Sequence, residues 1–328
     1  MVSDTKTKER TLKSADFKTD VHNDWCPGCG DFGILNSVQM ALADLAIEPW
    51  RVVCVSGIGC SGKTTEYVNT YGCHTLHGRV LPFAIGMKLA NPDLEVVALG
   101  GDGDGYGIGA GHFLNAGRRN VDLAYVVFNN EVYGLTKGQA SPTLRRGEQT
   151  KSLPLPNINE GINPLTIALS AGYTFIARSY AFNIAHTKEM IKAAIQHRGL
   201  ALVDVLQPCP TYNDLHDKDW FDEPVEWEGR TLPRTFRLDE TGYDGRVADP
   251  ADPDEVFSKQ KQAFETAQPQ PRIPLGVLYQ IELPTYFDRL GANAPVLKEF
   301  TPFTLPITNG DGTQPLTDLS AAYTEFLV

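Results

Sequence analysis

The stretch Glu95-Val96-Val97-Ala98-Leu99-Gly100-Gly101-Asp102-Gly103-Asp104-Gly105 decides the fold. Its apolar first half reads as a buried strand, and its second half is a glycine and aspartate turn at the strand's carboxyl end. A helix is expected from Ile108 to Ala116 and a strand from Leu123 to Phe128, which runs out at Asn129-Asn130. Strand, crossover helix and strand in that order form a parallel unit, with both carboxyl ends at one edge of the sheet.

The same alternation extends in both directions. Upstream, Phe32, Ile34, Leu35, Val38, Ala41, Leu42 and Leu45 recur at helical spacing with Asp31 as candidate cap. Val52 to Val55 reads as a strand ended by Gly57 and Gly59, and Val80 to Ala90 as a helix. Downstream, Asn163-Pro164 opens a helix, Phe175 to Ala177 is a strand, Asn183 to Gln196 a helix and Ala201 to Leu206 a strand. The expected class is α/β, a mostly parallel sheet flanked by helices, with ligands at the carboxyl ends of its strands. Beyond residue 212 the texture turns acidic and rich in proline and tryptophan, with apolar islands at Ile273 to Ile281 and Pro302 to Ile307 that lack helical period. Three segments follow: a polar, loose N-terminal arm (1–24), a core domain (25–212), and an irregular C-terminal extension (213–328) packing on the core or on a partner subunit.

The 328 residues carry a formal net charge of -11, from 29 basic and 40 acidic side chains, which argues against a nucleic-acid partner. Six cysteines are too few for a disulfide scaffold in so long a chain, so a reducing compartment is expected. Met1 to Lys6 lacks the basic and apolar blocks of a signal peptide, and no apolar run is long enough to span a bilayer. The expected location is the cytoplasm, with no membrane partner.

Two sets of residues carry chemistry. Gly100 to Gly105 lets backbone approach a phosphate, while Asp102, Asn130 and the carbonyl of Val132 offer the hard oxygens that magnesium prefers. The plain alternative is a glycine-rich turn with Asn129 and Asn130 capping a helix. Cys26 and Cys29 form a short-spaced pair that signals metal ligation or thiol exchange, although no strand precedes it as a thioredoxin-like motif would require. Cys54, Cys60, Cys73 and Cys209 are the available completions of a four-thiolate site. Cys54 lies in an apolar strand, Cys60 and Cys209 lie at carboxyl-end turns suited to ligation, and Cys73 is ambiguous. Iron-sulfur and zinc chemistry both remain open at this point.

Gly57-Ile58-Gly59-Cys60-Ser61-Gly62-Lys63-Thr64 also satisfies the phosphate-loop pattern after a strand, with Asp102 available as a metal-holding aspartate. The residues that follow, Thr65 to Thr70, make a poor helix, which weakens that match. A phosphate-loop ATPase carrying a metal cluster, and a non-enzymatic zinc or iron-sulfur scaffold, are therefore the alternative functions.

Six further pieces are specific: Cys26-Pro27-Gly28-Cys29-Gly30, Gly57-Ile58-Gly59-Cys60-Ser61, Leu76-His77-Gly78-Arg79, Gly101-Asp102-Gly103-Asp104-Gly105, Asn129-Asn130-Glu131-Val132-Tyr133-Gly134-Leu135-Thr136 and Gln207-Pro208-Cys209-Pro210. Together they resemble the thiamine-diphosphate-binding beta subunit of the 2-oxoacid:ferredoxin oxidoreductases, from about Trp25 to Asn213. The resemblance implies a thiamine-diphosphate-binding fold and one [4Fe-4S] cluster on Cys26, Cys29, Cys60 and Cys209. It implies magnesium on Asp102, Asn130 and the Val132 carbonyl, and a cofactor held by Ile58, Gly59, Cys60, His77, Gly101, Asp102, Gly103, Asp104, Asn130, Val132, Gly134 and Leu135. Lys63, Thr64 and His77 become candidates for catalytic or substrate contacts, Lys63 facing a carboxylate. A lysine there is typical of the 2-oxoglutarate type, so the implied reaction is coenzyme A-dependent oxidative decarboxylation of 2-oxoglutarate to succinyl-CoA with reduction of ferredoxin, or its reverse. The resemblance further implies a companion alpha subunit that supplies a glutamate to the cofactor, in an (alpha-beta)2 heterotetramer. Glu66 and Glu131 read here as ordinary solvated carboxylates.

Overall fold

The computed structural model of the chain describes residues 11–293 and Thr313. In chain order its elements are α1 (Asp31–Asp44), β1 (Val52–Ser56), α2 (Thr64–Tyr67), β2 (Tyr71–His74), α3 (Val80–Ala90), β3 (Glu95–Gly101), α4 (Ala110–Arg119) and β4 (Leu123–Asn129). Next come β5 (Val132–Tyr133), β6 (Gln139–Ala140), α5 (Pro164–Ala171), β7 (Phe175–Tyr180), α6 (Ile184–Gln196) and β8 (Leu200–Leu206). The chain continues through α7 (Lys218–Asp222), β9 (Val225–Trp227), β10 (Arg230–Leu232), β11 (Thr235–Arg237), α8 (Pro253–Thr266), β12 (Ile273–Gln280) and α9 (Tyr286–Asn293).

Eight strands form one sheet in the order β11-β12-β7-β8-β4-β3-β1-β2. Every neighbouring pair is parallel except β12 with β7. The strands read as unbroken apolar runs because both faces are covered. Along β4, Leu123, Tyr125 and Val127 face the layer that includes Leu81, Phe113 and Leu165, while Ala124, Val126 and Phe128 face Ile34, Val38 and Ile191. Each large apolar side chain so buried contributes about 1.5–3 kcal/mol. The expected α/β class, with a mostly parallel sheet between helices, holds.

Local chemistry explains most boundaries. The Asn163 side chain accepts from Leu165 N (3.2 Å) and Thr166 N (3.4 Å), and Asn183 caps α6 by accepting from His186 N (3.3 Å). The helix expected at Ile108 begins instead at Ala110, because a π-helical turn at Gly103–Ile108 takes up the glycine-rich segment first. Asp31 is the first residue of α1 and not its cap, Gly30 holding that position, and its carboxylate makes no capping bond. Asn129 and Asn130 cap no helix either; they lead into the β5–β6 hairpin.

Residues 11–24 are docked, contrary to the loose-arm expectation: Phe17 is fully buried and its carbonyl accepts from Asn69 N at 2.9 Å. The island Ile273 to Ile281 is a strand, β12, that joins the core sheet, while α8 packs on α5 and Asn163 Nδ2 donates to Ala267 O at 2.7 Å. Residues 1–10 and the second island, Pro302 to Ile307, lie outside the described residues. Among the described residues no helix is long and apolar enough to cross a membrane.

Candidate active site

Four adjacent strands, β8, β4, β3 and β1, deliver the loops that begin at Gln207, Asn130, Asp102 and Gly57 to one edge of the sheet. One pocket there is lined by Ile58, Cys60, Asp102, Asn130, Val132 and Gly134, and by Gly101, Gly103 and Asp104 as well. Leu135 is exposed and lies outside that lining.

Asp102 is buried, and three donors converge on its Oδ2: Glu131 N (3.1 Å), the Thr143 hydroxyl (2.6 Å) and the Ser141 hydroxyl. Burial pushes its pKa up to about 6, against the pull of Ser141 and Thr143. Asn130 Oδ1 accepts from Val132 N at 3.1 Å, which folds the loop so that Asn130 and Val132 share the pocket wall. Between them Glu131 has a φ of 65°, a strained conformation for a non-glycine residue, typical of functional loops. Its side chain is no solvated carboxylate: it pairs with His216 Nδ1 and accepts from Asn213 Nδ2 at 3.2 Å. Asn213 Nδ2 also reaches Asn130 O at 3.0 Å, and Asn213 N donates to Cys209 O at 3.0 Å, so one buried residue ties the oxygen loop, by its side chain, to the Cys209 loop, by its main chain. Glu66, by contrast, is half-exposed, 3.7 Å from His74.

Asp104 looks the other way. Its Oδ1 accepts from Ile58 N (3.1 Å) and Gly78 N (2.7 Å) and lies 2.8 Å from His77 Nδ1, which joins the loops after β1 and β2 to the β3 turn. Its Oδ2 is buried without a partner. His77 thus stands beside the site, its ring edge-on to Tyr133.

The phosphate-loop reading fails in this setting. The Ile58 amide faces a carboxylate, and the helix that follows the pattern, α2, has only four residues. Thr64 is fully buried with its hydroxyl donating to Ser61 O at 2.7 Å, and Lys63 Nζ pairs with Asp24 Oδ2 at 2.5 Å. Neither Lys63 nor Thr64 lines the pocket.

The thiols separate into two sets. Cys54 lies wholly within β1, its pKa pushed up to about 11 by burial, and Cys73 sits on edge strand β2. The second set is Cys26, Cys29, Cys60 and Cys209, of which Cys29 Sγ lies 3.2 Å from Gln207 Nε2, two residues before Cys209. Cys29 is pushed far up by burial, then by Asp31, with Cys209 and Cys60 adding; Cys60 is pushed up to about 12 by burial, then Asp31, Cys209 and Cys26. A Cβ on Gly134 would stand 3.4 Å from Cys60 Sγ and 3.9 Å from Cys209 Sγ, so these two sulfurs flank the bare glycine. Asp31 lies beside them, fully buried, its pKa pushed up to about 7 by desolvation, with no nitrogen or oxygen donor on either carboxylate oxygen. Among the described residues, no three His, Cys, Asp or Glu side chains gather closely enough to hold a single metal ion.

Ser141, Thr143 and Asn213 were not singled out as site residues from the sequence. Nothing in Ser141-Pro142-Thr143 marks it as the support of an aspartate nearly 40 positions earlier, because only the β5–β6 hairpin brings the two together. A larger cavity of ≈ 340 Å³ lies beyond the Asn129–Glu131 loop, lined by Arg145, Arg178, Trp220 and Arg272 among others; it contains none of the thiols.

Comparison with known proteins agrees with this geometry. Residues 32–205 match the family described as thiamine pyrophosphate enzyme, C-terminal TPP binding domain, and residues 209–294 match the family that covers the C-terminal part of the pyruvate ferredoxin oxidoreductase beta subunit. A 2-oxoacid:ferredoxin oxidoreductase subunit beta from a Sulfolobus species is 54% identical over 284 residues, 85% of this chain and 89% of that protein. The 2-oxoacid:ferredoxin oxidoreductase 1 subunit beta of Aeropyrum pernix is 48% identical over 91% of each chain. Among solved structures, 2-oxoglutarate:ferredoxin oxidoreductase from Magnetococcus marinus, with 2-oxoglutarate, coenzyme A and succinyl-CoA bound, aligns with a TM-score of 0.76 and 34% identity, covering 97% of each chain.

Proposed function

Because the chain belongs to the 2-oxoacid:ferredoxin oxidoreductase beta subunits, with a thiamine-diphosphate-binding domain as its core, we propose that it works on 2-oxoglutarate. With an alpha subunit, in an (alpha-beta)2 assembly in the cytoplasm, it converts 2-oxoglutarate, coenzyme A and two oxidised ferredoxins to succinyl-CoA, carbon dioxide, a proton and two reduced ferredoxins, or runs the reverse. The observation that carries this reading is the side-by-side delivery of an oxygen-lined pocket and the Cys60 and Cys209 thiols by the loops after β8, β4, β3 and β1, with Cys29, from the segment before α1, set against Gln207 in the loop after β8.

The residues suit the groups the family implies. Asp102, Asn130 and the Val132 carbonyl would hold magnesium; the Thr143 and Ser141 hydroxyls and the Glu131 amide orient Asp102 for it. Asp104 keeps the Ile58 and Gly78 amides and His77 in fixed positions around the diphosphate pocket. When bound, thiamine diphosphate supplies the carbon nucleophile and electron sink that decarboxylation of a 2-oxoacid requires. Cys26, Cys29, Cys60 and Cys209 would hold one [4Fe-4S] cluster, whose chemistry is the acceptance of electrons one at a time. In a cubane each iron would take one of these four thiolates. Lys63, half-exposed and paired with Asp24, would exchange that carboxylate for the distal one of the substrate.

The test is anaerobic copurification with the alpha subunit, followed by iron, sulfide and thiamine diphosphate analysis and ferredoxin reduction assays. Four irons and one thiamine diphosphate per chain, with coenzyme A-dependent turnover faster on 2-oxoglutarate than on pyruvate, are expected. Zinc in place of iron, or faster turnover of pyruvate, overturns the corresponding part.

A further inference from the structure

Gln207 follows β8 and is buried, with 2% of its surface exposed. Its main-chain N–H donates to Asn129 O at 2.8 Å, which fixes its backbone beside β4. Its side-chain amide Nε2 lies 3.2 Å from Cys29 Sγ and 2.8 Å from Pro208 O. Pro208 O can only accept, so the NH2 end must face it, and the same nitrogen lies against the Cys29 sulfur. The Oε1 oxygen is left buried without a partner. A buried amide with an orphaned oxygen is costly to the fold, and an aliphatic residue would fill the space without that cost.

The surroundings are shaped to keep the amide there. Gly30, which follows Cys29, donates its N–H to Pro208 O at 3.2 Å, and a Cβ on Gly30 would stand 2.8 Å from Gln207 Cγ. Main-chain bonds also brace the two cysteine loops, Cys29 N donating to Cys26 O at 3.0 Å and Asn213 N to Cys209 O at 3.0 Å. Main-chain donors of this sort come with any turn that presents a ligand. Gln207 is different: it is a side chain, replaceable without moving the backbone, that brings a donor to a ligand sulfur.

We infer that Gln207 sets the reduction potential of the cluster by donating its side-chain amide to the Cys29 thiolate. An N–H dipole aimed at a ligand sulfur stabilises the extra negative charge of the reduced cluster more than the oxidised one, and so raises the potential. Asp31, two residues after Cys29 and fully buried, is the carboxylate whose charge would oppose this. The balance bears on whether the first electron from the 2-oxoacid is accepted readily and still passed on to ferredoxin. The inference rests on the cluster assignment above.

The experiment is an EPR-monitored redox titration of the intact alpha-beta enzyme, prepared anaerobically as wild type, Gln207→Leu and Gln207→Met, with iron and thiamine diphosphate counted in each. Both variants remove the donor and differ in shape. The expected result is a shift of the midpoint to more negative potential, similar in both, with four irons and one thiamine diphosphate per chain retained. An unchanged midpoint in both overturns the inference, as does loss of iron from both, which would make Gln207 a residue that retains the cluster instead of tuning it. Absence of a cluster from the wild type is a separate outcome that overturns the cluster assignment itself and the inference with it.

Discussion

The oxygen loop around Asp102 and the thiol loops around Cys29 share one edge of the sheet, yet the protein finishes them to different degrees. Asp102 Oδ2 takes three donors and Asp104 Oδ1 three more, so these carboxylates are oriented by the fold itself. On the sulfur side, Asp31 has no nitrogen or oxygen donor on either carboxylate oxygen, Gln207 Oε1 is buried without a partner, and burial pushes the Cys29, Cys60 and Cys209 thiols up. On the oxygen side the orphaned carboxylate oxygen is Asp104 Oδ2. A preorganised site pays little to receive its ligand, whereas a desolvated one with unpaired polar atoms is stabilised by the ligand it takes in. On the proposed function, the oxygen half would receive its magnesium in an already oriented site, and the sulfur half would be stabilised by the cluster it takes in.

Four substitutions probe that contrast, beginning with the most severe. Cys60→Ser should abolish ferredoxin reduction and strip iron from the purified complex, while magnesium-dependent thiamine diphosphate binding survives; joint loss of both would show that the halves are not independent. Asp102→Ala should do the converse, weakening cofactor binding by at least ~100-fold, since a ligand matters more than the outer-shell groups worth roughly 10–100-fold, with the iron count unchanged. Thr143→Val removes one short hydrogen bond to Asp102 and should weaken magnesium roughly 10–100-fold, read as a raised half-saturating concentration at near-normal maximal rate.

The mildest case concerns pH. Burial opposes charging of the His216 ring, but its bond to Glu131 and the charges of Glu131 and Glu148 outweigh that and hold its pKa above the ordinary value. A group raised in the folded state stabilises fully below its unfolded pKa of about 6.5 and ceases to do so as pH rises through the raised value. The melting-temperature gap between wild type and His216→Gln, on the order of a few °C, should therefore be widest below pH 6.5 and close in alkaline buffer. A gap that widens with pH would assign the stabilisation to something other than the charged ring.

Much of this was readable in the residues themselves. Uninterrupted runs such as Leu123 to Phe128 announce strands covered on both faces, and Asn163-Pro164 marks a helix start by chemistry that acts over three residues. The split between Cys54 and the carboxyl-end thiols was legible for the same local reason. What escaped depends on contacts across the fold. Gly57 to Thr64 matches the nucleotide phosphate-loop pattern letter for letter, and only the fold shows the Ile58 amide turned to the Asp104 carboxylate and a helix of four residues after it. Asp31 has the position of a helix cap and the environment of a buried neighbour to thiols. Glu131 looks solvated until the segment after residue 212 folds back and lays His216 and Asn213 on it.

The antiparallel seat of β12 against β7 bears on how the chain is made. Until Ile273 leaves the ribosome, β7 presents the row of N–H and C=O groups that β12 will occupy, open to pairing with another nascent chain. Between Tyr180 and Ile273 translation takes roughly 5–20 s at ordinary elongation rates. For that interval the sheet has an unguarded flank, so slowing elongation within residues 181–272 should raise the fraction of chains lost to aggregation, whereas slowing it upstream of β7 should not.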